Sequence, residues 1–323
     1  MLKIDHLSAS YKTIDGNVHV INDLNFDIYD NEIFGIAGES GCGKTTLLKA
    51  LYDIIEFPLE IDSGRVILSG EKNGRFFSHE SGKIRNTWWN NISYVPQAAQ
   101  SVLNPITRLK SQFLDSIPKR DRNNETEEQT LERVAQYLKE LSLSPDLLDV
   151  FPFQLSGGMR QRVIIALATF MSPNVVLADE PTTALDVVVQ RGILMMLMRL
   201  QKQLKNTLVL VSHDMGVHYQ VTNRMGIMYS GSFVELGKTD DIFNDPIHPY
   251  TKMLISALPR VGDKSQKIGI PGRPPAPTNP PPGCRFAPRC PNASERCCQA
   301  VPAFREVRPG RFAACHSLNK EVE

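Results

Sequence analysis

The chain of 323 residues carries 36 Lys and Arg against 35 Asp and Glu, a formal net charge of +1, and is 41% hydrophobic and 7% aromatic. That length can bury a sizeable core and suits one large α/β domain with an appendage, and the balanced charge gives no overall basic surface for nucleic acid. No apolar run approaches the ~18 residues of a membrane span, and Met1 to His6 is no signal peptide, so the chain is expected in the cytosol or held at a membrane through partners.

Alternating apolar residues at Ile4 to Leu7 and Val18 to Ile28 predict antiparallel strands, and Gly64 to Gly70 predicts another, together a β-rich subdomain. Ile33, Phe34, Ile36 and Ala37 then read as a short buried strand feeding Gly38-x4-Gly43-Lys44-Thr45, a phosphate-binding loop. Its glycines let backbone N–H groups curl around phosphates, which makes Ser40, Gly41, Cys42, Gly43, Lys44, Thr45 and Thr46 the candidate contacts. Lys44 is suited to the β and γ oxygens and the Thr45 hydroxyl to Mg²⁺. Thr46 to Leu51 should open a helix whose N-terminal dipole faces the anion, and Cys42 reads as a small residue tolerated in the loop, not a nucleophile.

Trp88 and Trp89 read as packing residues, and the charged run Lys119 to Glu128 as a solvated turn. Leu131, Val134, Leu138 and Leu141 then recur at helix spacing. Ser156 is placed to cap a helix running to Phe170 behind Ser156-Gly157-Gly158, a second helix end able to bind an anion. Val175 to Ala178 is an apolar run ending in Asp179 and Glu180, as expected of a parallel strand whose C-terminal end points into a site. Asp179 is the candidate to hold Mg²⁺, directly or through water, and Glu180 to orient and deprotonate an attacking water. Leu208 to Val211 is a further apolar strand, with Ser212-His213-Asp214 at its end.

Together with Gln97 and Ala184-Leu185-Asp186, these motifs resemble, in order, those of the ATP-binding-cassette ATPases. The resemblance implies an α/β fold with a P-loop parallel-sheet core, an antiparallel β subdomain and a helical subdomain at about 98–170. It implies that Tyr11 stacks on adenine, that Gln97 approaches Mg²⁺ and the water, that His213 contacts the γ-phosphate, and that Asp186 belongs to the nucleotide site. It further implies that Ser156 and Gly158 serve ATP held by the partner subunit, so that ATP lies between two chains.

Met228-Tyr229-Ser230-Gly231, Val234 to Gly237 and Asp245-Pro246-Ile247-His248-Pro249-Tyr250-Thr251 resemble the peptide and nickel importer branch, most of all the D-type ATP-binding subunit of dipeptide and oligopeptide permeases. This implies two membrane-spanning permease subunits, an extracytoplasmic solute-binding protein, and a peripheral place on the cytoplasmic face of the membrane. An F-type companion is the expected second ATPase subunit, and a homodimer is chemically feasible because all motifs are intact. One departure is Ala98-Ala99-Gln100-Ser101-Val102 before Leu103-Asn104-Pro105, where the branch has an acidic residue after the glutamine.

Pro271 to Gly283 is Pro-rich and reads as an extended spacer. Five of the six cysteines follow it, Cys284, Cys290, Cys297, Cys298 and Cys315, and in a cytosolic chain such a cluster reads as a metal site. The intervals of five, six and seventeen residues between Cys284, Cys290, Cys297 and Cys315 leave four-thiolate zinc and an iron-sulfur cluster both open. Resemblance to the C-terminal motif of the importer branch implies a 4Fe-4S cluster on those four, with Cys298 outside it, able to staple a tail that lacks a core of its own.

The expected organisation is a nucleotide-binding domain at 1–260, a linker at 261–283 and a Cys-rich module at 284–323. The expected activity is ATP hydrolysis driving import of dipeptides, oligopeptides or a related solute. The alternative is a soluble mechanical ATPase with an iron-sulfur domain acting on ribosomes or DNA. Against it stand a single nucleotide unit per chain, no basic stripe and no coiled-coil insertion.

Overall fold

The computed structural model describes residues 1–14, 16–70, 75–78, 84–97, 102–118, 125–259 and 269–321. The departure at Ala98 to Ser101, the first part of the charged run (119–124) and the start of the linker (261–268) lie outside them. The chain divides into two compact units, Met1–Gly82 with Leu210–Glu323, and Lys83–Val209.

In the first unit β1 (Leu2–Thr13) pairs antiparallel with β2 (Gly16–Ile28). The apolar alternation of β1 changes phase, from Leu2 and Ile4 to Leu7 and Ala9, all fully buried. His6 and Asp23, at φ 50° and 47°, flank the register shift that keeps both sets on the core face. β3 (Ile33–Ala37) is buried at every residue and leads to α1 (Lys44–Leu51). β4 (Leu59–Gly70) pairs with β1 and β5 (Arg75–Ser78) with β4, completing a sheet of order β2-β1-β4-β5.

In the second unit β6 (Ile92–Val95) lies parallel to β7 (Val175–Asp179), Ile92 opposite Val175 and Val95 opposite Ala178. β8 (Thr207–Val211) flanks β7 and carries the chain out of the unit. Between them come α2 (Leu109–Ser116), α3 (Glu127–Glu140), α4 (Gly157–Thr169) and α5 (Val187–Leu204). α3 begins with a reciprocal cap between Thr126 and Gln129 and buries Thr130, Val134 and Leu138. The end of the charged run, Glu127 and Glu128, is thus the first turn of a helix, where carboxylates face the positive end of the dipole, and not a turn as expected. Trp88 and Trp89 are half-buried.

The chain re-enters the first unit with α6 (Met215–Val221), β9 (Arg224–Tyr229) parallel to β3, β10 (Ser232–Lys238) antiparallel to β9, α7 (Thr239–Asn244) and α8 (Pro249–Ser256). The tail adds α9 (Glu295–Gln299), β11 (Arg305–Arg308) and β12 (Arg311–Ala313), and β12 pairs with β10, Glu235 opposite Ala313. Strand order here is β11-β12-β10-β9-β3. Phe286, 1% exposed, sits in a cluster with Tyr229, Tyr250 and Ile242, and burying such a ring contributes about 2–3 kcal/mol. Arg311 donates to the fully buried Glu235 carboxylate at 2.9 Å.

Candidate nucleotide-binding site

The phosphate loop follows β3 because the strand ends where the backbone must turn sharply. Gly43 has φ +108°, and a Cβ there would stand 2.8 Å from the Val20 carbonyl, while at Gly38 it would meet the Met228 carbonyl at 2.1 Å. Side chains are excluded at both points, which leaves main-chain groups to line the loop. No side chain caps α1 at Gly43 and no acidic residue stands in its first turn, so the helix end presents its positive dipole outward. Lys44, 6% exposed, donates from Nζ to the Gly38 carbonyl (2.8 Å), the Glu39 carbonyl (3.0 Å) and Cys42 Sγ (3.7 Å). A buried ammonium held by uncharged groups is poised for an anion, and this donor set fits the phosphates of a nucleotide. Burial pushes the Cys42 thiol up, with Lys44 opposing it, so the sulfur is a neutral thiol.

Thr45 is half-buried, Ser40 and Gly41 are exposed, and Thr46 accepts or donates a hydrogen bond with Tyr11 Oη at 3.1 Å. His213 is exposed just past β8. Ser212 Oγ accepts the Asp214 N–H, and Asp214 in turn caps α6.

The other candidates belong to the second unit. Asp179 ends β7 at 1% exposure, and Tyr94 Oη donates to its Oδ2 at 3.0 Å. Burial, and then the Asp179 charge, push the Tyr94 phenol up, which keeps it a donor. Gln97 Nε2 donates to Glu180 Oε2 at 3.1 Å, and Thr183 Oγ1 donates to the same oxygen at 2.7 Å. Gln97 and Glu180, 83 residues apart, are therefore brought into contact. Glu180 has φ +45°, a sharp turn straight after the strand that lets Thr183 fold back on it. Ser156 caps α4 through the Met159 N–H at 3.3 Å, and Asp186 caps α5 through the Val189 N–H at 2.9 Å. A Cβ on Gly158 would stand 2.5 Å from Val189 Cγ1, so the small residue permits the close approach of α4 to α5.

Sequence reasoning did not find Tyr94, Thr183 or Glu39. Tyr94 is opposite Leu177 in the β6–β7 register, and strand pairing is what aims it at Asp179. Thr183 had a local signal in its position three residues after Glu180.

The iron-sulfur cluster expected at Cys284, Cys290, Cys297 and Cys315, and its zinc alternative, are not supported. All six cysteines are free thiols, and among the described residues no group of three or more His, Cys, Asp or Glu side chains is arranged to hold a metal ion. Burial first, opposed by backbone hydrogen bonds and helped by the neighbouring cysteines, pushes the Cys284 and Cys290 thiols up. Cys297 and Cys315 are near enough to act electrostatically on Cys284 and Cys290, and Cys298 is exposed. Nor does the tail lack a core, because Phe286, Arg289 and Arg311 anchor it to the body.

The profile "ABC transporter" matches residues 21–183, and "Oligopeptide/dipeptide transporter, C-terminal region" matches residues 234–297. The dipeptide transport ATP-binding protein DppD of Caldanaerobacter subterraneus subsp. tengcongensis is 37% identical, over 98% of this chain and 96% of its own. The oligopeptide transport ATP-binding protein OppD of Escherichia coli is 35% identical, over 100% and 94%. Among solved structures, the dimeric bacterial ABC transporter cassette MJ0796 superposes with a TM-score of 0.61 at 27% identity, over 74% of this chain and 99% of that one. A cbiO1 subunit from Clostridium perfringens gives 0.60 at 25% identity, over 76% and 90%. On the match over residues 21–183 and on relatives 35–37% identical along nearly the whole chain, the chain belongs to the ABC transporter family.

Proposed function

We propose that this chain is the ATP-hydrolysing subunit that powers import of dipeptides or oligopeptides through a membrane transporter. The observation that carries the reading is similarity along nearly the whole chain to subunits named for dipeptide and oligopeptide transport, together with the matching C-terminal region. The fold and the transporter relatives give no support to a soluble mechanical ATPase with an iron-sulfur domain.

In this reading the loop from Ser40 to Thr46 holds the phosphates, Lys44 supplies the cation and Tyr11 lies against adenine. Thr45, Gln97 and Asp179 are the residues that would hold Mg²⁺, which would neutralise charge on the phosphate oxygens. Tyr94 orients the Asp179 carboxylate, and the hydrogen bonds from Gln97 and Thr183 fix the Glu180 carboxylate as the base for the attacking water. His213 contacts the γ-phosphate. Ser156 and Gly158, at the N-terminus of α4, grip the ATP held by a second ATPase subunit, and Asp186 joins the same interface. Val187 and Val188, 79% and 82% exposed at the start of α5, support such a covered face.

Ile106 and Phe153, 83% and 66% exposed, with Phe151 stacked on Phe153, offer an apolar surface for a permease subunit. No helix of the described residues is long and apolar enough to cross a membrane, which fits peripheral attachment at the cytoplasmic face through two permease subunits, fed by a solute-binding protein. An F-type companion is the expected second subunit. Residues 1–260 form the nucleotide-binding domain, 261–283 a linker and 284–323 the cysteine-bearing extension.

Uptake of a labelled dipeptide by cells lacking this chain tests the reading. Wild-type chain is expected to restore uptake and Glu180→Gln to leave it near background. Restored uptake of nickel or a sugar with none of peptide would overturn the substrate class and leave the ATPase assignment standing.

A further inference from the structure

Glu39 follows Gly38 directly in the phosphate loop, and each of its polar groups is engaged. Its carbonyl accepts from Lys44 Nζ at 3.0 Å, and its N–H donates to Tyr250 Oη at 3.0 Å. Its carboxylate takes a two-pronged contact from Arg289, Nη1 to Oε2 at 2.6 Å and Nη2 to Oε1 at 2.9 Å. Arg289 stands 250 residues away, at the end of the tail's 3-10 turn Ala287–Arg289. Nη1 also donates to Tyr229 Oη (3.2 Å), Nε to the Pro271 carbonyl (2.8 Å) and Nη2 to the Ile270 carbonyl (3.4 Å). All five N–H donors of the guanidinium therefore have acceptors. The Arg289 side chain is 3% exposed, and beyond it Pro274, Pro275 and Pro277 wall a small cavity with Ser40, Gly41 and Cys42.

Phe286 and the Arg311–Glu235 pair anchor the tail at other points besides this contact. The contact does solve an electrostatic problem of the loop. An unpaired carboxylate one residue from Gly38 opposes a polyphosphate, and in a partly desolvated site that repulsion is felt strongly. The bidentate pair cancels the charge and fixes the carboxylate's direction, while the same residue's carbonyl positions Lys44.

We propose that Arg289 is a positioning residue of the nucleotide site, which neutralises Glu39 and so makes the C-terminal extension part of the machinery that admits the triphosphate. The proposal rests on the phosphate loop binding ATP. Drawing the tail away would strand the Glu39 charge beside the phosphates, which gives the extension control over nucleotide affinity.

The test compares ATP with AMP, measured on the full chain by competition against a fluorescent ATP analogue. AMP places less charge at the loop, so a charge effect changes the ratio of the two affinities, whereas a merely structural role weakens both alike. Arg289→Ala is expected to weaken ATP about tenfold, equivalent to ~1.4 kcal/mol, and AMP by less than about threefold. Glu39→Gln leaves a surplus cation and is expected to shift the ratio the other way. The double variant should return to within about threefold of the wild-type ratio, the residue expected when one interaction accounts for both effects. Equal losses for both nucleotides in Arg289→Ala, or an unchanged ratio in Glu39→Gln, overturn the proposal, and the glutamine arm decides alone if the alanine variant does not fold. Failure of the wild-type chain to bind ATP would instead remove the site assignment itself.

Discussion

Replacing Arg311 by alanine strands a buried charge. The Glu235 carboxylate is fully buried and accepts from Arg311 Nη2, the Ile247 N–H and the His248 N–H, each at 2.9 Å. Breaking a buried pair by removing one partner costs about 3–5 kcal/mol, because the remaining charge cannot recover its hydration. The two backbone donors that remain hold the cost near the low end, at about 3 kcal/mol. Asp245 also loses an Arg311 contact, but it is 62% exposed and keeps Arg308, so water and the second arginine screen that loss. The assay is urea denaturation followed by circular dichroism, with hydrogen exchange read at the β10 and β12 amides. The variant should be destabilised by about 3 kcal/mol, with protection lost first at β12, and adding Glu235→Gln should recover roughly half of that. A loss below about 1 kcal/mol, or the same loss in the Glu235→Gln background, would refute the reasoning.

Glu180→Gln is expected to retain ATP while slowing hydrolysis by roughly 10² to 10⁴, the contribution of a positioned base, and near-normal turnover would remove Glu180 from the mechanism. Lys44→Ala should lose ATP affinity in equilibrium binding, and tight binding by that variant would contradict the phosphate-loop assignment. Ser156→Arg should leave nucleotide binding intact but prevent ATP-dependent pairing with a second ATPase subunit in size-exclusion chromatography, so ATP-bound pairs of this variant would exclude the shared-site arrangement. Burial holds His218 down at about 4 and His248 at about 3, against about 6.5 unfolded. The unfolded chain therefore takes up their protons first as pH falls. Their neutral forms stabilise the fold fully above pH ~6.5, and about 2 kcal/mol each is lost by pH ~5. Urea midpoints at the two pH values should show this, and His248→Asn, which retains a capping side chain, should remove about half of the difference.

Much of the local geometry of the proposed nucleotide site was legible in the chain. The phosphate loop is consecutive backbone between a buried strand and a helix, so Gly38 to Thr46 names its own conformation. Ser156 and Asp186 cap the helices that follow them through N–H groups three residues on, an interaction that needs no tertiary partner. The Asp179-Glu180 pair closes an apolar strand, so the hydrophobic run itself marks where the two carboxylates stand, Asp179 buried and Glu180 half-buried. Strand alternation was legible too, but it was read short in β1, because the bulge at His6 changes its phase.

The cysteine tail shows where such reading stops. Intervals along the sequence say that four thiols can meet, but whether they do depends on how the segments between them pack, and here Phe286 is drawn into the Tyr229 and Tyr250 cluster while β12 is drawn onto β10. Arg289 reaches Glu39 across 250 residues and Arg311 reaches Glu235 across 76, pairings that no local pattern encodes. The sequence by itself determined the phosphate loop, the helix caps and the strand that ends in two carboxylates, since short-range backbone geometry sets them. Tertiary structure decided which charges pair, since a carboxylate withdrawn from water is stabilised by whatever cation the fold brings to it.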